Sequence, residues 1–174
     1  MCRSFPLRFA ALLALVAPAV VRASPPEPFY PDKNATATAN VILPVTITTL
    51  NDMDFGALTV TTAGTAILDS NSDTITTAGG VLFAGGLPHA AQFAAVSPSK
   101  TIVKIQLPNK ATTLTRVGGT ETMTIDTWNI NGATTRNVVE KETVVFKIGG
   151  TLHVGANQVE GTYTGTFDVN INYN

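Results

Sequence analysis

Cysteine is almost absent: one in 174 residues, at position 2. That count excludes an intrachain disulfide framework and a thiolate metal site. Histidine is nearly as scarce. Neither His89 nor His153 has an acidic neighbour in sequence at metal-ligand spacing. Charge is thin as well, with 11 basic and 12 acidic residues making up 13% of the chain. An average soluble chain carries about 25%. The basic residues are scattered, so no stripe for nucleic acid forms, and no charged tail exists to drive disorder. No glycine doublet ends in Gly-Lys-Ser/Thr, which excludes a phosphate loop. No G-x-S-x-G elbow occurs, and the few serines lie outside any catalytic pattern. Catalytic, cofactor-binding and metal residues are therefore all expected to be none.

Threonine is what the chain has in excess, 27 against 6 serines. It is β-branched and suits the wet face of a strand. The composition is that of a β-rich, weakly charged single domain.

The first residues read as an address. Arg3 and Arg8 precede an apolar run from Phe9 to Val21, which ends at Val21-Arg22-Ala23. This is the layout of a secretory signal peptide over residues 1–23, shorter than the roughly 20 apolar residues of a membrane span. Its removal takes three arginines and Cys2, leaving 8 basic residues against 12 acidic. No later stretch reaches transmembrane length. The expected location is the periplasm in transit, then the cell surface or the medium.

Residues 24–33, SPPEPFYPDK, hold four prolines and read as an extended spacer. Alternation then begins. Ala35, Ala37, Ala39, Val41 and Leu43 share one parity, and threonines fill much of the other. Pro44 interrupts the run, since it cannot donate to a ladder. Residues 34–43 are thus an arm, either a donor strand or an edge strand, and residues 44–174 the body. Within the body, strands are expected at Val45–Leu50, Thr59–Val60, Ala66–Leu68, Val81–Ala84, Gln92–Val96, Thr101–Leu107, Glu121–Trp128 and Val144–Val154. The closing strand is the cleanest: Tyr163, Phe167, Val169, Ile171 and Tyr173 alternate with polar residues. Gly79-Gly80, Gly85-Gly86, Gly118-Gly119 and Gly149-Gly150 read as turns, and Asn131-Gly132 as a hairpin pair. The expected fold is all-β, an immunoglobulin-like or Greek-key sandwich with an extended N-terminal arm.

Two acidic clusters invite a closer reading. Asp69, Asn71 and Asp73 alternate like the start of a calcium loop, but Thr74 and Gly80 stand where such a loop needs glycine and glutamate. A polar β-turn is the simpler assignment, with weak calcium binding left open. Asp52 and Asp54 flank Met53 and read as turn caps rather than an acid–base pair.

Several segments occur in a recognisable order: Met53-Asp54-Phe55-Gly56, Ile105-Gln106-Leu107-Pro108, Glu121 to Ile125, Phe146 to Gln158, Gly161 to Phe167, and Val169 to Tyr173. The series resembles the secreted bacterial family called domain of unknown function 4402. The resemblance implies export and a β fold, and carries no activity. A looser resemblance is to chaperone–usher pilins, whose last strand has a penultimate tyrosine and a glycine fourteen places from the end. Tyr173 and Gly161 stand there, although the cysteine pair of many type 1-like pilins is missing.

The expected function is a non-enzymatic surface protein, a pilus- or fimbria-like subunit assembling by donor-strand complementation. Ala35, Ala37, Ala39, Val41 and Leu43 would form the assembly arm. Gly161, Tyr163, Phe167, Val169, Ile171 and Tyr173 would mark the strand beside the acceptor edge. Expected partners are further copies or related subunits. The pilin resemblance adds a periplasmic chaperone and an outer-membrane usher. The alternative is a monomeric adhesin or carbohydrate-binding sandwich module, with Trp128, Phe29, Tyr30 and Phe83 as candidate exposed rings.

Overall fold

A computed structural model of the chain describes residues 38, 39, 41 and 44–173. Residues 1–23 and 24–33, and the arm positions Ala35, Ala37 and Leu43, lie outside the described residues. Ala39 and Val41 are exposed.

The described residues form strands and no helix. In chain order they are β1 (Thr46–Asn51), β2 (Ala57–Leu68), β3 (Ile75–Gly85), β4 (Ala91–Val96), β5 (Thr101–Gln106), β6 (Thr112–Arg116), β7 (Thr122–Ile130), β8 (Thr135–Val138), β9 (Thr143–Val154), β10 (Tyr163–Thr164) and β11 (Asn170–Tyr173). All pairings between them are antiparallel. The larger sheet runs β1-β4-β9-β7-β6-β10, with the β2–β3 hairpin joined to β9, and the smaller runs β11-β5-β8.

Strand β9 is the spine of the larger sheet. Along one edge its first half, Thr143–Ile148, pairs with β4, and Gly150–Val154 pairs with β2. Its other edge pairs with β7. A strand bonded on both edges should be apolar on both faces, and β9 is almost continuously buried from Phe146 to Leu152, with Lys147 half-buried.

Alternation divides the core in two. Phe55, Ala66, Leu68, Val81, Ile125, Leu152 and Val154 pack where the β2–β3 hairpin curls against β9 and β7. Phe93, Ala95, Ile105, Phe146 and Ile148 pack between the larger sheet and the smaller, with Ile47, Phe167, Val169 and Ile171 at the margin. This layering is sandwich-like. Phe93 and Phe146 are register partners with rings stacked at 5.4 Å.

Several sequence-based boundaries change. Thr59–Val60 and Ala66–Leu68 belong to one twelve-residue strand, β2. Gly79-Gly80 and Gly149-Gly150 lie inside β3 and β9 rather than in turns. They fill places where backbone or a bulky ring comes too close for a Cβ, a tertiary requirement that a dipeptide cannot reveal. Asn131-Gly132 does not close a hairpin, because β7 and β8 belong to different sheets. Strands β6 and β8 were not anticipated, being short and rich in threonine or charge.

The closing strand is the largest correction. Tyr163–Thr164 pairs with β6 in the larger sheet, whereas Asn170–Tyr173 pairs with β5 in the smaller. The alternation survives across the gap. Tyr163, Phe167, Val169 and Ile171 are half-buried, and the residues between them are exposed. Gly165 lies so close to the Thr113 carbonyl and Leu114 that a Cβ would meet them at 2.5 and 2.8 Å. The chain crosses from one layer to the other here, keeping one apolar edge inward.

Candidate functional site

The residues expected at the C-terminal strand fall into two groups. Gly161 (φ 148°) and Tyr163 serve a local fold. The Tyr163 hydroxyl donates to the Val159 carbonyl at 2.6 Å and accepts from Gln158 Nε2 at 2.7 Å, fastening the loop after β9. Phe167, Val169 and Ile171 face the core between the sheets. Tyr173 stands at the corner where the body begins: the Val45 amide donates to its hydroxyl at 2.6 Å. Among the described residues, β1 pairs only with β4, and β11 only with β5. Ile47 in β1, Ile171 in β11, Val45 just before β1, and Phe167 and Val169 just before β11 are all half-buried against the same core.

A second constellation sits at a bulge that strand patterning did not identify. In β7 the pairing with β9 slips between Asp126 and Asn129. Thr127 takes φ 48°, a left-handed value that is an outlier for a β-branched residue. Its signature was present in the sequence: the apolar parity is odd at Met123 and Ile125 and even at Trp128 and Ile130. An extra residue in one strand produces that change.

The bulge re-aims three side chains. Asp126 Oδ1 accepts from the Thr127 hydroxyl at 2.9 Å and meets His153 Nε2 at 2.7 Å. The His153 bond, then the Thr127 bond, hold the Asp126 carboxyl below the usual carboxylate range. Trp128 lies over Phe167, with ring centroids 4.7 Å apart, and Phe167 meets Phe93 edge-on at 6.4 Å. Asn129 turns to the other side, donating to the Leu68 carbonyl at 3.0 Å and accepting from the Ser70 amide at 2.9 Å.

The remaining sequence candidates have structural roles. Asp54 Oδ1 caps its turn by accepting from the Gly56 amide at 2.7 Å. Asp69 Oδ1 accepts from the Asn71 amide at 2.7 Å, the main cause of its lowered pKa. Asp73 turns away from Asp69. One oxygen accepts from the Ala90 amide at 2.9 Å, and the other is ion-paired with Lys147. Burial pushes the Asp73 carboxyl up, but the Lys147 and Ala90 bonds outweigh it and the net shift is downward. A lysine therefore occupies the place that a calcium reading would give to the cation. His153 is exposed and paired with Asp126 across the sheet. His89 is half-buried, with Nδ1 enclosed and lacking a hydrogen-bond partner among the described residues. Its backbone bridges to Asp54.

Of the candidate rings, Phe83 is 42% exposed. Trp128 is half-buried. Phe29 and Tyr30 lie outside the described residues.

The family model described as Domain of unknown function (DUF4402) matches residues 45–173. No curated protein and no solved structure matches the chain.

Proposed function

The chain belongs to that family, whose name assigns no activity, and we propose that it is a non-enzymatic, exported structural subunit that assembles by strand donation. The observation that carries this reading is the bond between the Val45 amide and the Tyr173 hydroxyl. Val45, where the described body begins, stands beside β11, whose Asn170–Asn172 stretch has a strand on one side only among the described residues.

Strand addition supplies backbone hydrogen bonds along such an edge, and alternate side chains fill the groove beneath. The half-buried row of Val45, Ile47, Val169 and Ile171 is the apolar surface available for covering. Ala35, Ala37, Ala39, Val41 and Leu43 of a neighbouring copy are its proposed cover. Each apolar Å² covered contributes about 25 cal/mol. In this reading residues 1–23 direct export and residues 24–33 give the arm its reach. A periplasmic chaperone and an outer-membrane usher would guard and then release the edge.

The test is molar mass by light scattering, with and without residues 24–43. Assemblies that vanish on deletion are expected. A synthetic peptide of residues 34–43 should then raise the melting midpoint of the truncated chain. Assemblies of unchanged mass after deletion would overturn the proposal.

A further inference from the structure

The link from β5 to β6, Leu107–Ala111, faces the bulge at Asp126–Trp128 across a cavity of about 340 Å³. A second hollow of about 640 Å³ shares the same link and extends to Thr166–Asp168 and Asn170. Each lies within the range of about 300–1,000 Å³ found for small-molecule sites. The two hollows share the Leu107–Ala111 link as a wall, and this pair of hollows is the groove.

Its chemistry is specific. Lys104 and Lys110 balance Asp126 and Asp168, so the lining carries no net charge. Amides and hydroxyls, from residues such as Asn109, Thr166 and Asn170, supply most of the other side-chain polar atoms. Leu107, Pro108 and the rings of Trp128 and Phe167 form an apolar strip. A lining without net positive charge gives a polyanion no advantage, and the polar walls disfavour a purely apolar ligand. A chain of hydroxyl-bearing rings with apolar faces matches both halves of the lining.

Backbone strain marks the same place. Glycine would occupy the left-handed position of this bulge at no steric cost, yet the residue is Thr127. Strained residues persist where the surroundings enforce them and concentrate at functional sites. The threonine hydroxyl has one identified task, shared with His153: it holds Asp126 by Oδ1. Asp126 Oδ2 has no protein partner among the described residues, and Asp126 lines the cavity. A carboxylate fixed by one oxygen is a ready acceptor for ligand hydroxyls through the other.

We propose that this groove binds a neutral oligosaccharide, with Asp126 accepting hydroxyl hydrogen bonds at one end, Asn109 and Asn170 along the walls, and the Trp128–Phe167 pair beneath a sugar face. The site lies within the body; of its proposed contacts, Asn170 also stands on the β11 edge proposed for strand addition, whereas Asp126, Trp128 and Asn109 belong to other segments.

The test is calorimetric titration of the purified chain with cello-, chito-, malto- and galacto-oligosaccharides of four to six sugars. Hydrogen exchange with and without the sugar maps the contact and tolerates assemblies. One series is expected to bind and to protect Leu107–Ala111 and Asp126–Trp128. Asp126→Asn, nearly isosteric, should weaken binding about tenfold or more, as expected for losing a charge-assisted hydrogen bond. Thr127→Gly should weaken binding without lowering the melting midpoint, a separation that a purely structural role would not give. Asn109→Ala, on the exposed link, repeats the test where no core packing is at risk. Absence of binding to all four series at millimolar concentration would overturn the proposal. So would binding that leaves both segments unprotected, affinity equal in Asp126→Asn and Asn109→Ala, or protection by oligouronates or peptides alone.

Discussion

The indole of Trp128 lies over the backbone of Gly150: a Cβ built there would stand 3.3 Å from its ring carbon Cε3 and 2.9 Å from Ile125 Cγ2. At Gly149 the obstruction is the Leu68 carbonyl itself, with Asn129 Oδ1 at 2.8 Å. Gly150→Ala is therefore expected to cost about 1–3 kcal/mol, because flexible neighbours can give. Gly149→Ala should cost more, since backbone must move and the β2–β9 ladder with it. Chemical denaturation ranks the pair, and the reverse order would contradict the geometry.

Asn129 satisfies two backbone groups at once, the Leu68 carbonyl and the Ser70 amide. Asn129→Ala leaves both without their partner at a partly buried turn. A loss of about 1–3 kcal/mol is expected. Asn129→Asp keeps an acceptor for Ser70 but sets a carboxylate against the Leu68 carbonyl, so it should not restore the stability. Urea unfolding of the two variants measures this.

Acid should loosen the fold from identifiable points. Asp69, Asp73, Glu121 and Asp126 all have carboxyls held below their ordinary values. A depressed folded-state pKa gives stability that is present above the unfolded value and lost as pH falls through the folded one. The melting midpoint is thus expected to hold near neutrality and decline below about pH 4. Asp73→Asn removes the ion pair with Lys147, which is partly exposed. It should cost about 1 kcal/mol, or roughly 2–4 °C, and flatten part of that decline. Millimolar calcium should leave the midpoint unchanged, because Lys147 and the Ala90 amide already engage the two Asp73 oxygens.

Thr127→Gly is expected to make the chain more stable, by about 1 kcal/mol, as the left-handed strain is relieved against the entropy cost of glycine. Thr127→Val keeps the branched shape and removes the hydroxyl, so it should be less stable than either. Differential scanning calorimetry separates the three.

Alternation made the inward faces of β4, β5 and β9 legible, because Phe93, Val103, Ile105, Phe146 and Ile148 each sit in a strict period of two. It could not tell that Tyr163–Tyr173 would change sheets partway, since crossing between layers preserves parity on the side facing the core. The glycine doublets misled for a related reason. Gly149-Gly150 is set by a carbonyl from β2 and an indole from β7, both remote in sequence. The Asp126–His153 pair was equally invisible, as 27 positions separate two residues that the register of β7 and β9 brings together. The parity change around Thr127 was readable and marks the candidate groove, whereas its far wall, Thr166–Asn170, follows only from the fold.

Strand β9 is bonded to β2, β4 and β7, and Trp128 packs against both hydrophobic clusters. Neither cluster can melt while the other keeps its spine, so loss of structure should be all-or-none across the body. Since the chain contains a single tryptophan, its fluorescence is a native reporter of that whole event. Emission and circular dichroism should trace one coincident curve, with the amides of β9 the last to exchange with solvent.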